Sequence, residues 1–443
     1  MKAVKILLGL VIAVVVLAAA GLWYLNRLVQ SAEFRELARE AAQSALGSQV
    51  SFREMEISLW RGVTLQGIEV ANPPGFTGPM VTADAVVLRY RLWPLLQRRV
   101  VVQRLAVEKP VVTLARDATG TFNYEKLGAP KAAGQTAASG SAPRVGGVRV
   151  EIASIGLSDG EVTVLNEQGK RLVRLSGIEF QSGVQFDGGK LGGAGEARIR
   201  ELAVGDSIYV RNVGGPVRFS GEYMELEPVR GELAGGVVEG KLRVKLLGGV
   251  RYEVDLTGRG SDVTTLLREA GAKPVMSGSL QWTAKLSGTG GLPTVVGGGR
   301  AEVVNGQVTG VPLLTLVGTL LQVPELQQLS FTECLLEYQL ANNMMTNPVI
   351  RIGSPAIRIE GRGAMALDTY DLRHDLTLAL TEAALSKAPK EVRGAFRKTD
   401  DGKLALDFRA SGPYNSPKTD LSQRLVRGAG QQLLDKGLRK LLE

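Results

Sequence analysis

The chain has 443 residues, 44% of them apolar, and a net charge of +9. That is long enough for two or three domains and too apolar for wholesale disorder. A single cysteine and a single histidine exclude an intrachain disulfide and a multi-histidine metal centre; the basic residues fall singly on strand patterns, which argues against a nucleic-acid tract.

Ile6 to Leu25 carries no charge. As helix it would span about 30 Å, the thickness of a bilayer core. Trp23 and Tyr24 stand at its far end, where an aromatic belt lies, and Lys2 and Lys5 before it place the N-terminus in the cytoplasm and the body outside. The rival is a cleaved signal peptide, with an Ala-x-Ala site in "LAAAG" at Leu17 to Gly21. The apolar run continues through Leu25, which favours an uncleaved anchor. Ala32 to Leu46, "AEFRELAREAAQSAL", reads as an amphipathic helix ended by Gly47.

From Val50 the period changes to two, and roughly eighteen to twenty strands are expected. Alternation puts Leu88 and Tyr90, Val107, Val112 and Leu114, and Val162 and Val164 on apolar faces. It does the same for Leu242, Val244 and Leu246, Val254 and Leu256, Leu280 and Trp282, and Leu336 and Tyr338. Ile357 and Ile359, Leu378 and Leu406 continue the series. Asp159-Gly160 and Asp401-Gly402 look like hairpin centres, and "DATGTFNY" like a hairpin turn, so successive strands are expected to pair as a meander. Glycine, 55 residues in all, favours bends and bulges.

Few helices interrupt this pattern. Asp262 to Ala270 predicts a short helix with Asp262 as cap, and Pro312 to Val323 an apolar helix with proline at its start. Glu382 to Phe396 predicts partial helix broken at Pro389. From Asp420 a basic amphipathic helix sets Leu421, Leu425, Ala429, Leu433 or Leu434, Leu438 and Leu441 on one stripe. It fits a membrane surface and an open sheet edge equally well. Residues 128–147 read as a linker or long loop. The expected segments are therefore an anchor with its flank (1–30), a helix and β-region (31–127), the linker (128–147), a middle β-region (148–287), a late β-region with the apolar helix (288–415) and the basic helix (416–443).

So many apolar strand faces need a cover, since a leucine-sized side chain left wet forgoes roughly 1.5–3 kcal/mol. A sandwich, a closed barrel, or a curved trough completed by an apolar ligand each supplies one. Periodicity does not choose among them.

The first 125 residues resemble the AsmA family of Gram-negative envelope proteins. The resemblance rests on an ordered set: an N-terminal anchor, "SALGSQVSF", "ISLWRGVTLQGIEVANPPGF" and "LAVEKPVVTLARDATGTFN". Later, "GGGRAEVVNGQVTGVPLLTLVGTLL" and "RASGPYNSPKTDL" are similar to the family's closing pattern. The resemblance implies a mostly β fold. A transmembrane helix would precede an elongated, curved antiparallel sheet with an open hydrophobic groove, related to bridge-like, chorein-type lipid transporters. It implies a single-pass inner-membrane protein with its body in the periplasm, active in phospholipid transport and outer-membrane biogenesis. The apolar residues named above would then form the groove, and Ile6, Trp23, Tyr24 and Leu25 would mark the anchor. The expected partners are phospholipid, the inner membrane, and other envelope proteins or a second copy, without nucleic acid and without a cofactor.

No catalytic constellation is visible, so a non-enzyme is expected. His374 in "DLRHDLTLAL" reads as a surface strand histidine, Cys334 as a small buried apolar residue, and Pro73-Pro74-Gly75 as a rigid turn. The glycine runs lack the lysine and the strand-to-helix context of a phosphate loop. The alternative to lipid carriage is a non-enzymatic assembly factor of the cell envelope with a closed β core and protein partners.

Overall fold

The computed structural model describes residues 40, 43, 47–58, 62–91, 99–127, 149–187, 190–246, 251–289, 294–386, 388, 390–414 and 416–425. The expectations for the anchor (Ile6, Trp23, Tyr24, Leu25), for most of the helix at 32–46, for the 128–147 segment and for the C-terminal stripe beyond Leu425 lie outside them. Among the described residues no helix is long and apolar enough to cross a membrane. The chain divides into two compact units. One is Met1–Glu232 with Gly240–Tyr252, the other Leu233–Glu239 with Glu253–Glu443. The division falls inside the segment expected to form one middle β-region.

The first unit is built on β1 (Val50–Ser51), β2 (Glu54–Ser58), β3 (Gly62–Ala71), β4 (Pro79–Tyr90), β5 (Arg99–Glu108) and β6 (Val111–Ala115). After a one-turn helix, α1 (Asn123–Lys126), come β7 (Arg149–Leu165), β8 (Arg171–Asp187), β9 (Lys190–Val204) and β10 (Ile208–Gly221). β11 (Tyr223–Leu233) and β12 (Gly236–Lys245) follow. β3 pairs with β1, β2 and β4, and β4 with β5 and β6. β7 then joins β5 and β6 in parallel, and β7 to β10 continue antiparallel. The expectation of a purely antiparallel meander is corrected here. A parallel return needs a crossover of a dozen or more residues, and the chain between α1 and β7 has that length.

The long strands β7 to β10 break strict alternation at one level. Asp159 in β7, Gly177 in β8 and Asn212 in β10 have φ of 49°, 62° and 52°. The paired apolar residues step by an odd number across this line: Leu157 to Val162, Leu175 to Ile178, Ile199 to Leu202, and Val210 to Val213. In β7, β8 and β10 a left-handed residue resets the phase, so both halves of these strands keep their apolar side chains on one face. Asp159-Gly160 is therefore a kink inside one strand and not a hairpin centre. Gly177 has a second reason to be glycine, since a Cβ there would come within 2.8 Å of the Arg200 Cβ.

The second unit contains β13 (Arg251–Asp262), α2 (Val263–Glu269), β14 (Met276–Gly288), β15 (Val296–Thr309) and α3 (Pro312–Leu321). Then come β16 (Gln328–Phe331), β17 (Glu333–Ala341), β18 (Met344–Gly353), β19 (Ile357–Ala366) and β20 (Asp371–Leu380). α4 (Lys390–Arg393), β21 (Arg397–Lys398), β22 (Leu404–Pro413) and β23 (Lys418–Thr419) complete it. The ladder β14-β15-β17-β18-β19-β20-β22 is antiparallel throughout. Asp262 caps α2 as its sequence predicts, accepting from Thr265 N at 2.7 Å and Thr265 Oγ1 at 2.6 Å. α3 begins at Pro312. Among the described residues of the helix expected over 382–396, only α4 forms. The Asp401-Gly402 hairpin is present: Gly402 N donates to Thr399 O and Thr399 N to Lys403 O.

Candidate functional site

The described strands form one 23-stranded sheet; in each unit it is amphipathic, and the registers show which side chains share a face. In the first unit Val50, Val70, Val81, Val112, Val162, Leu175, Leu202 and Val210 pair in series across β1, β3, β4, β6, β7, β8, β9 and β10. Beside this row Leu114, Val164, Val173, Val204 and Ile208 make a second. Val50 and Val70 are buried in a small core with Met80 and Leu127, against which Tyr124 packs. From β6 onward the cover ends. Val112, Val162, Leu175, Leu202 and Val210 are half-buried, and Val204 and Ile208 are 41% and 45% exposed. Among the described residues of β7 to β10 only Ala203 and Val217 are buried apolar groups. Five strands at about 4.8 Å spacing give an uncovered strip about 19 Å long, about two thirds of a bilayer's ~30 Å hydrocarbon thickness.

The opposite face of the same strands is wet. Ala106, Gly156, Gln181 and Glu196 pair across it. They line a recess of about 640 Å³ with Arg104, Glu108, Glu179 and Arg198. Its charges of both signs suit water better than acyl chains.

In the second unit the apolar face divides by cover. Leu280, Val303, Cys334, Ile352, Ile359, Leu378 and Leu406 form one row. Most of it packs into closed cores. Leu321, Val323, Leu326, Leu385, Phe396, Leu421 and Leu425 cover the β19–β22 end, and Val263 and Phe331 the β15 end. The first turn of the predicted C-terminal stripe, Leu421 and Leu425, thus serves as cover for the sheet. Further along the strands Leu286, Leu340, Met345, Met365 and Leu372 remain half-buried. The other face carries ion pairs, among them Arg409–Asp375 at 2.9 Å and Arg351–Glu333 at 3.2 Å.

The residues expected to line a groove therefore fall into two groups. Leu88, Val107, Ile357, Ile359, Leu378 and Leu406 are buried against protein and present no surface to a ligand. This corrects their placement in a groove. Alternation identifies an apolar face but not what lies on it. Tyr90, Val112, Leu114, Val162, Val164, Leu242, Val244, Leu246, Val254, Leu256, Leu280, Trp282, Leu336 and Tyr338 are half-buried. Tyr90 packs against the β3–β5 core and Leu242 against Val217, Leu226 and Val229. Cys334 is half-buried beside Val303 and Phe331, and burial pushes its thiol up to about 11. That is the environment of a packing residue and not of a nucleophile.

His374 was not expected on this face. It shares the phase of Leu372, Leu376 and Leu378 on β20, and that phase was the available signal. Its ring crosses β19 over Gly363, where a Cβ would lie 2.2 Å from His374 Cδ2, and its Nε2 meets Asn347 Oδ1 on β18 at 3.2 Å. Tyr338 crosses Gly299 in the same way to donate to Thr283 O at 3.1 Å. Among the described residues no group of three His, Cys, Asp or Glu side chains is placed to hold a metal ion.

The N-terminal segments are tied together by one buried polar cluster. Asn123 is fully buried; its Nδ2 donates to Asn72 Oδ1 and to Thr113 O, both at 2.8 Å. Its Oδ1 accepts from Tyr124 N at 2.9 Å and Ala115 N at 3.2 Å. Asn72 in turn donates to Thr77 O and Gly78 O, closing the turn after Pro73-Pro74. The "IEVANPPGF" and "GTFNY" segments are thus two halves of one structural lock, and residues 1–201 match the model of the AsmA family.

The AsmA region runs from the N-terminus into β9, so it contains the Asn72–Asn123 lock, the parallel junction at β7 and most of the uncovered strip. The family is generally envelope-associated. Comparison of the sequence with curated proteins and with solved structures finds no match.

Proposed function

We propose that this protein is a non-enzymatic lipid carrier or conduit of the Gram-negative envelope. It is anchored by Ile6 to Leu25 in the inner membrane and extends its β body into the periplasm. The observation that carries this reading is the change of cover along the apolar rows. Where β1, β3 and β4 need cover, the chain supplies Tyr124 and Leu127; over β6 to β10 it leaves a continuous aliphatic strip half-exposed. Contiguous exposed apolar surface of this kind marks an interaction site. The match of residues 1–201 to an envelope-associated family and a predominantly β architecture are consistent with a lipid-related role.

Acyl chains would lie along the strip with headgroups at its rim in water. Dispersion and burial are non-directional, so the strip itself would accept many phospholipids. Mass spectrometry of the full-length chain isolated without detergent tests the reading. One or more phospholipids per chain are expected. A stable, lipid-free chain with a protein bound to β6–β10 would favour the assembly-factor alternative instead.

A further inference from the structure

The polar pair on the apolar face of the second unit has more structure than packing requires. The β17–β18 ladder is irregular between Leu336 and Gln339, opposite Thr346 to Ile350. Pro348 lies in that gap and has no N–H to donate. Asn347 fills the vacancy: it is 2% exposed, and its Nδ2 donates to Glu337 O at 3.2 Å. This fixes the amide, so Oδ1 must face His374. An oxygen there can only accept, so the 3.2 Å contact puts the imidazole proton on Nε2.

That leaves Nδ1 as a bare acceptor. It has no partner among the described residues, and it is not among the side-chain atoms closed off from the surface. Its surroundings on the face are apolar or small: Leu372 and Leu376 precede and follow it in phase, Gly363 lies under the ring and Ala410 pairs opposite. Plugging the irregular ladder accounts for Asn347 and for Nε2. It does not call for the oriented, unpaired acceptor that Nδ1 opens onto an apolar surface.

We propose that His374, oriented by Asn347, is a headgroup-reading subsite. It takes an amphiphile whose polar part carries an N–H or O–H donor, such as an ethanolammonium group or a free glycerol hydroxyl. The inference rests on the lipid-carrier reading. It adds selectivity to the half-buried apolar face of the second unit, where Met345, Met365 and Leu372 read only apolar area. Phosphocholine has no donor and cannot satisfy Nδ1; phosphoethanolamine has one and carries the same zwitterionic charge.

The test loads the full-length chain from vesicles of equal dioleoyl-phosphatidylethanolamine and dioleoyl-phosphatidylcholine, then measures both bound lipids by mass spectrometry. One hydrogen bond from the ammonium donor predicts ethanolamine enrichment of about tenfold or more. His374→Phe keeps a ring over Gly363 but removes the acceptor; bound lipid should then match the vesicle ratio. His374→Asn sets an oxygen near the Nδ1 position and should retain part of the preference. Equal loading of the wild-type chain, or an undiminished preference in His374→Phe, overturns the subsite while leaving lipid carriage standing. A wild-type chain that takes up neither lipid overturns both.

Discussion

Asn123→Ala tests whether the segments shared with the AsmA family are joined by the lock described here. The substitution removes four hydrogen bonds, those to Asn72, Thr113, Ala115 and Tyr124. The Thr113 carbonyl and the Ala115 and Tyr124 amides lose their side-chain partner around a site that is 0% exposed. Each buried group left unmatched costs about 1–3 kcal/mol. Their costs are not additive, because a water entering the vacated volume restores some of them. The expected loss is about 3 kcal/mol, which lowers the melting temperature of a unit of this size by about 6–12 °C. Asn72→Ala removes one bond from the lock and the two to Thr77 O and Gly78 O that close the turn, and should cost about 1–3 kcal/mol. Thermal melts, with hydrogen exchange of peptides from β3 and β6, read both. A double-mutant cycle should return a coupling of at least about 0.5 kcal/mol. A loss under that figure for Asn123→Ala, with β3 and β6 exchange unchanged, would refute the reasoning.

Other perturbations separate covered from uncovered positions. Leu378→Ala, in the closed core at 1% exposed, should cost about 2–5 kcal/mol, whereas half-buried Val162→Ala should cost about 1 kcal/mol; similar costs in urea melts would contradict the division. Val162→Asp should leave a folded chain whose bound lipid falls, whereas Leu378→Asp should fail to fold; a folded, fully loaded Val162→Asp chain counts against the strip. Lys126 and the Thr119 and Thr121 donors hold the Asp117 carboxyl far below its ordinary value of 3.8. A depressed folded pKa gives stability that is complete above the unfolded value and is lost as pH falls through and below it. Asp117→Asn should therefore shrink the stability difference between pH 7 and pH 3, and an unchanged difference would contradict the assignment. Cys334, with its thiol pushed up to about 11, should react with iodoacetamide at pH 8 far more slowly than a free thiol, and an equal rate would place it outside the core.

Strands with one uninterrupted period were legible. Leu242, Val244 and Leu246, or Leu376, Leu378 and Leu380, announce their faces because each apolar residue is two from the next. β7 to β10 were not, because the phase resets at Asp159, Gly177 and Asn212, and a kink at Asp-Gly looks locally like a turn. The parallel pairing of β5 and β6 with β7 is non-local, and no short-range pattern encodes it. The covered and open parts of one apolar face differ only by what packs over them, so Leu378 and Val162 look alike in sequence. His374 has the residue type of a wet face, but its phase with Leu372 and Leu376 sets it on the apolar one.

The most direct test of the central claim places a photo-crosslinking residue at Val162, at Leu202, and at Thr163, which alternation turns to the opposite face, and irradiates intact cells. The account predicts phospholipid adducts at Val162 and Leu202 and none at Thr163. Equal labelling at all three sites, or protein adducts alone at Val162 and Leu202, would contradict it.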